Sequence, residues 1–309
     1  MLLEGTLGNY SFKDCTSIEK FYMADYSGTG VTTKGTLDLS PCTSLKRVYL
    51  AGNGSKDYIK LPSVELDYMY FRYNVRATGN FSTKELLLSQ HRAYGIGTGQ
   101  FNIEKLKSND GLKELSYISG VNSESLKSLE LLGSNANLNS FSSLNDLGRF
   151  SNLTLLTITY AKELTSLSGI ETLSKLESLT FTNCIVSDIS ALSGLTNLTT
   201  IKLSGNKISD ITPLGNLKNI TSLTLSSNSI SDLSPLLGMI GDDGKIKFTK
   251  LDISYNSLEG YISATNNNVE TLRQLHDAGL KSITITGNNF STNDLNTIKS
   301  IFGTKNVTN

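Results

Sequence analysis

Two stretches of this chain carry one pattern, 22 residues apart. Leu198-x-x-Ile201-x-Leu203-x-x-Asn206-x-Ile208-x-Asp210-Ile211 returns as Ile220-x-x-Leu223-x-Leu225-x-x-Asn228-x-Ile230-x-Asp232-Leu233. A fixed period of this length constrains the fold more than any composition does. One such unit is too short to bury its own apolar face, so successive copies must stack into a solenoid.

The frame extends in both directions. Ile18-x-x-Phe21-x-Met23-x-x-Tyr26 is a degenerate first rung, and Leu45-x-x-Val48-x-Leu50-x-x-Asn53 a good one. Leu66-x-x-Met69-x-Phe71-x-x-Asn74 follows, then a weak copy, Leu86-x-Leu88-x-x-His91. Residues 92–111 are Gly-rich and then charged, and read as a long excursion. Two candidate rungs, Leu112-x-x-Leu115-x-Tyr117 and Leu126-x-x-Leu129-x-Leu131, lie too close for two full coils, so the register of 92–135 stays open. Regular copies resume at Leu153 and Leu176, run through 198–233, and return after insertions at Leu251 and Ile283. Val269, Leu272 and Leu275 predict a short helix over 269–278. Ser291–Phe302 reads as a second helix, with Asn293 or Asp294 as cap and Leu295, Ile298 and Ile301 facing inward.

Each position in the repeat has a physical task. The L-x-x-L-x-L segment is a strand with one apolar face, which stacking turns into a parallel sheet. The Asn that follows can donate and accept, so it can bond turn and rung backbone. Asn53, Asn74, Asn206, Asn228, Asn256 and Asn288 are the expected ladder, with His91 standing at one Asn position and Cys184 at another. Asp188, Asp210 and Asp232 each precede a Ser or Thr by two residues and suit turn capping better than a cation column. Cys15 and Cys42 open the same phrase one repeat apart. They read as stacked, buried, unpaired thiols, with a disulfide between neighbouring rungs as the alternative.

These residues carry a family likeness. LSGLTNLTTIKLSGNKISDITPL resembles the bacterial leucine-rich repeat of the 22-residue internalin type; the match is specific over about 150–260 and loose over 10–135. The resemblance implies an α/β repeat fold, a right-handed leucine-rich repeat solenoid with a parallel sheet on the concave face and short 3-10 or helical turns on the convex face. One solenoid over 1–309 is expected: degenerate repeats at 1–135, regular ones at 136–260, and irregular helical repeats with a C-terminal cap at 261–309. The resemblance also implies protein recognition, at a bacterial cell surface or outside the cell. The helical cap, immunoglobulin-like module and wall anchor of such proteins are not apparent, which points to a domain taken from a longer surface, secreted or phage-related protein.

Composition excludes several classes. The 28 basic and 28 acidic side chains balance, which favours neither nucleic acid nor an anionic membrane. No apolar stretch is long enough to span a bilayer, and the N-terminus does not read as a signal peptide. With two His and no H-x-x-x-H, C-x-x-C, G-x-S-x-G or P-loop, neither an enzyme nor a metal or cofactor site is expected. The glycines of GIGTGQ at 95–100 do not lead from a strand into a helix, so they do not read as a phosphate loop. DDGK at 242–245 lacks the alternating oxygens and closing Glu of a calcium loop.

The register also lists what faces a partner. Eight of the thirteen Tyr lie within 10–73. Tyr22, Tyr49 and Tyr70 fall on one outward column, with neighbours expected ~4.8 Å apart. Arg47, Tyr68, Arg72 and Tyr73 flank them. Tyr and Arg dominate binding hot spots, whereas Ser and Thr do not. These seven residues are the expected contact set, for another protein or alternatively a glycan, on a monomeric chain. The same Tyr could serve only to cover neighbouring strands. The regular rungs present Thr200, Lys202, Ser222, Thr224 and Ser226 outward, which suits a scaffold or spacer.

Overall fold

A computed structural model describes residues 2–3, 12–23, 36–51, 58–72, 76–89, 96–109, 112–136, 139–263 and 266–309. Tyr73, Asn53, Asn74 and His91 lie outside the described residues. The chain divides into two compact units, Met1–Phe141 with Arg149–Leu153, and Ser142–Gly148 with Thr154–Asn309.

The first unit is built on a parallel sheet. In spatial order its strands are β1 (Leu2–Leu3), β2 (Lys20–Met23), β4 (Arg47–Ala51), β7 (Tyr68–Arg72), β9 (Phe81–Ser89), β11 (Phe101–Ser108) and β12 (Ser128–Leu132). A short β6 (Glu65–Leu66) pairs with the start of β9. Alternate residues point in, as period two requires: Phe21, Val48, Met69, Leu86, Leu106 and Leu129 form one fully buried column. The return legs form a second parallel sheet, β3 (Thr36–Asp38), β5 (Tyr58–Lys60), β8 (Arg76–Thr78) and β10 (Gly97–Thr98). Leu37, Ile59, Ala77 and Ile96 seal the core from that side. In these four return legs, short strands stand where short 3-10 or helical turns were expected.

Residues 101–108 correct the reading of 92–111 as an excursion. They form a full rung, paired with β9 from Phe101↔Phe81 to Ser108↔Leu88. The pairing skips Glu104, where the strand turns a corner. The inward set becomes Phe101, Ile103, Leu106 and Ser108, which no single alternation joins. The crowding near 112–131 also resolves: Leu115–Ile118 is a 3-10 turn, and Ser128–Leu132 is the strand.

Along one edge of these rungs runs a row of alternating charge, Glu19, Lys46, Asp67, Lys84, Glu104 and Lys127. Lys46 meets Glu19 at 3.0 Å, Lys84 meets Asp67 at 2.7 Å and Lys127 meets Glu104 at 3.2 Å. Each pair is exposed and screened by solvent, so it contributes little to stability by itself. A slipped register would oppose like charges, so the row favours correct stacking.

The second unit carries β13 (Leu155–Thr159), β14 (Ser178–Thr182), β15 (Thr200–Lys202), β16 (Ser222–Thr224), β17 (Lys250–Asp252), β20 (Ser282–Thr284) and β21 (Val307–Thr308), again all parallel. Leu156, Leu179, Ile201, Leu223, Leu251 and Ile283 stack in register and are at most 3% exposed. The return legs here are 3-10 turns at Ser190–Leu192, Thr212–Leu214 and Ser234–Met239. A hairpin, β18 (Tyr261–Ser263) with β19 (Asn266–Asn267), leads into α1 (Asn268–Asp277). The last helix, α2 (Thr292–Phe302), is capped by Ser291 rather than Asn293 or Asp294. Asp294 is the other half of a capping box. Ile298 and Phe302 are its buried residues, while Leu295 and Ile301 are half-buried.

Asp188, Asp210 and Asp232 accept backbone N–H bonds from Ser190, Thr212 and Ser234, at 2.9, 2.8 and 2.7 Å. The Ser190 amide, then the Ser166 hydroxyl, hold the Asp188 carboxyl below 3.8, and the Thr212 hydroxyl and amide do the same for Asp210. A depressed folded value stabilises fully above the unfolded value and is lost as pH falls through the folded one. Urea midpoints taken from neutral pH down through the carboxylate range should therefore fall less steeply in Asp188→Asn/Asp210→Asn than in the wild type. Equal acid slopes would remove these caps from the account.

Candidate interaction face

Strands β2, β4 and β7 read KFYM, RVYLA and YMYFR, and the pleat sends every second residue outward. Register places Tyr22 beside Tyr49 and Tyr49 beside Tyr70. The Tyr22 and Tyr49 rings stack at 6.0 Å and 29°. Those of Tyr49 and Tyr70 stack at 4.3 Å and 13°. Tyr22 is 37% exposed, and Tyr49 and Tyr70 are half-buried. Burial raises the Tyr49 hydroxyl pKa, the Tyr70 hydroxyl adds to this, and Arg72 partly offsets it. Tyr68 is raised by burial and by the nearby Glu85 carboxylate.

Cations border the stack. Lys20 and Arg47 are register partners on one side, and Arg47 pairs in turn with Tyr68. Arg72 lies on the other side, next to Ala51 and Ser89. The tyrosine column continues into Leu87, Lys107 and Glu130. Lys107 sits 3.6 Å from Glu130. Lys105 and Lys107 escaped the sequence reading because their strand was taken for an excursion. Of the seven expected contact residues, six are therefore on one face, and Tyr73 is outside the described residues. In the second unit the matching column reads Thr157, Thr180, Lys202, Thr224, Asp252 and Thr284.

Behind the second unit's strands runs a chain of amide bonds. Asn206 donates to Phe181 O and Leu203 O, both at 2.8 Å, and accepts from Val186 N at 3.1 Å. Asn228, Asn256 and Asn288 repeat this one rung on each. Cys184 takes the same place, its sulfur 3.3 Å from Ala161 N and 3.5 Å from Thr182 O. Two further Asn of this kind had no signal at the repeat offset. Asn139 is fully buried, donates to Leu131 O and accepts from Leu112 N. Asn268 is fully buried too, bonding Ser231 O, Glu259 O and Leu233 N.

Cys15, Cys42 and Cys184 are free thiols, and burial followed by the neighbouring Cys15 raises the Cys42 pKa. Asp242 pairs with Lys218 at 2.8 Å and Asp243 accepts from Lys245 N at 3.0 Å, so DDGK is a turn. No group of His, Cys, Asp and Glu among the described residues could hold a metal ion. No described helix is long and apolar enough to cross a membrane.

Residues 196–238 match the family model described as Leucine Rich repeats (2 copies). The fold is a leucine-rich repeat solenoid. Among solved structures the chain is similar to an internalin, InlF, from Listeria monocytogenes. The TM-score is 0.59 at 19% identity, covering 91% of this chain and 76% of that one. It is also similar to a leucine-rich repeat protein of Leptospira interrogans, with a TM-score of 0.50 at 17% identity over 87% of this chain and 73% of the other. At such identities the likeness is one of fold, shared with bacterial leucine-rich repeat proteins of the internalin kind. No curated protein matches the sequence.

Proposed function

We propose that this leucine-rich repeat chain is a non-catalytic protein-interaction module whose contact face is the outer side of β2, β4 and β7. The observation that carries the reading is the contrast within the outward column. It is a stacked Tyr22–Tyr49–Tyr70 series bordered by Lys20, Arg47 and Arg72 in one unit, and mostly Thr in the other. Tyr offers large contact area at low entropic cost and Arg is enriched at binding hot spots, whereas Ser and Thr are under-represented there. Tyr68 extends the contact set. The Thr-lined rungs serve as scaffold. The chain acts as a monomer within a bacterial surface, secreted or phage-related protein.

A displayed random peptide library, panned against the whole chain, tests this. Enriched binders should lose about tenfold or more in affinity against Tyr49→Ala and Arg72→Ala, and keep it against Thr224→Ala, with melting temperatures unchanged. Binders indifferent to Tyr49 and Arg72 would place the contact elsewhere. Enrichment on a glycan array alone would favour a carbohydrate-binding adhesin.

A further inference from the structure

We infer that Cys15 and Cys42 are a disulfide-forming pair, which meets a small-molecule disulfide and closes into a bridge that pins the first two rungs together. The inference is independent of where a partner docks.

Register brings the two thiols side by side. Strands β2 and β4 pair at an offset of 27 residues, the separation of Glu19 and Lys46 and also of Cys15 and Cys42. Both cysteines open the same turn. Cys15 N donates to Phe12 O and Cys42 N to Leu39 O, each at 2.9 Å, and their carbonyls accept from Ile18 N and Leu45 N. Between the two turns, Ser44 N donates to Thr16 O at 3.2 Å. Adjoining rungs lie ~4.8 Å apart, inside the Cα separation of ~4.4–6.8 Å that a disulfide spans. Burial, then the neighbouring Cys15, then Asp38 raise the Cys42 pKa, so each thiol lies within electrostatic reach of the other.

The place they occupy is a core position. Later rungs fill it with Phe150, Leu173, Leu195 and Leu217, each at most 1% exposed. A free Cys packs as a small hydrophobe, which accounts for Cys42, at 0% exposure. It does not account for Cys15, which is half-buried. One open and one closed thiol on adjoining rungs suit a two-step exchange. The Cys15 thiolate attacks a sulfur of the small disulfide, whose S–S bond breaks, and one thiolate leaves and takes up a proton. The Cys42 thiolate then attacks the Cys15 sulfur and displaces the second small thiolate, which is protonated in turn. The two cysteine sulfurs are oxidised and the small disulfide is reduced to two thiols. The bridge ties β2, whose other partner is the two-residue β1, to β4, and with them the stacked Tyr22 and Tyr49. It also restricts the unfolded chain by closing a loop between the two cysteines.

Peptide mapping by mass spectrometry tests this. The full chain is incubated without denaturant in excess oxidised glutathione, quenched by alkylation and digested without reduction. A Cys15–Cys42 cross-linked peptide is expected, with Cys184, 3% exposed, still reduced. The bridged chain should melt about 4 °C or more above the reduced one. Cys15→Ser, a change at the more open position, should keep the melting temperature of the reduced chain and gain nothing from glutathione. Glutathione retained on Cys15 without a bridge, a bridge that forms only in urea, or cross-links between chains would each overturn the inference. So would a bridge that leaves the melting temperature unchanged or lowers it, since the rungs would then be forced together rather than pinned.

Discussion

Asn228→Ala is expected to lower stability by about 2–4 kcal/mol, measured by equilibrium urea denaturation. The side chain is small, but its amide ties its own rung to the one before it. It donates to Leu203 O at 2.9 Å, to Leu225 O at 3.0 Å and to Ser226 O at 3.3 Å, and accepts from Ile208 N at 3.0 Å. The carbonyls would not all be stranded, because Asn206 also bonds Leu203 O and Asn256 also bonds Leu225 O. The Ile208 amide has no such substitute, and Ile208 is fully buried. A buried N–H without an acceptor costs its full desolvation. Asn228→Asp should be worse than Ala, since a carboxylate would face three carbonyl oxygens. Asn228→Cys should be milder, because Cys184 makes this kind of contact with Ala161 N and Thr182 O. Asn206→Ala and Asn228→Ala share Leu203 O, so their effects should be non-additive by about 0.5 kcal/mol or more. A loss below about 1 kcal/mol for Asn228→Ala would mean that water replaces the amide and the ladder is ornamental.

The second unit was legible because most of its rungs obey one rule, with Cys184 replacing one Asn. Leu at the strand positions, Asn three residues on and Asp before the turn each have one physical use, so their spacing reports the coil directly. The first unit was harder for a specific reason. At β9 and β11 the strand turns a corner, and the inward series Phe101, Ile103, Leu106 and Ser108 changes phase in mid-strand. Period-two reading fails at such a corner, and the inward Ser108 removes the last apolar cue. Asn139 was invisible for a similar cause. It reaches Leu131 O from eight residues away, outside the three-residue offset at which Asn206 bonds Leu203 O. The tyrosine column was readable because register alone stacks its members. Their ring geometry was not, since spacing cannot say whether rings lie face to face or splay apart. That difference separates splayed rings from the stacked series observed.

Gly97→Ala is expected to be the most damaging single-methyl change in the first unit, at about 3–5 kcal/mol or more. Gly97 lies on β10 opposite Ala77 of β8, with φ of +146°. That backbone conformation is one L side chains rarely adopt. A Cβ there would also overlap Ala77 O and come within 2.7 Å of Ala77 N. Those are backbone atoms, which cannot rotate aside. Relief would require β8 and β10 to part, at the expense of the Ala77 N–Ile96 O bond at 2.8 Å and the Gly79 N–Thr98 O bond at 3.0 Å. Gly99, also at φ +146°, meets Gly79 O in the same way. The glycine-rich GIGTGQ run thus has a mechanical purpose. It lets one return leg lie directly on another, where a phosphate loop would instead open into a helix. Gly194→Ala is the matching control, since nothing lies within 4 Å of a Cβ there. It should change stability by less than about 0.5 kcal/mol. Circular dichroism melts and urea midpoints of the two variants decide the matter. Equal stability would show that β8 and β10 are not held against each other in solution. Loss confined to Gly97→Ala would also fix what carries the first unit: two facing sheets, one presenting tyrosines outward, the other needing glycine to close behind them.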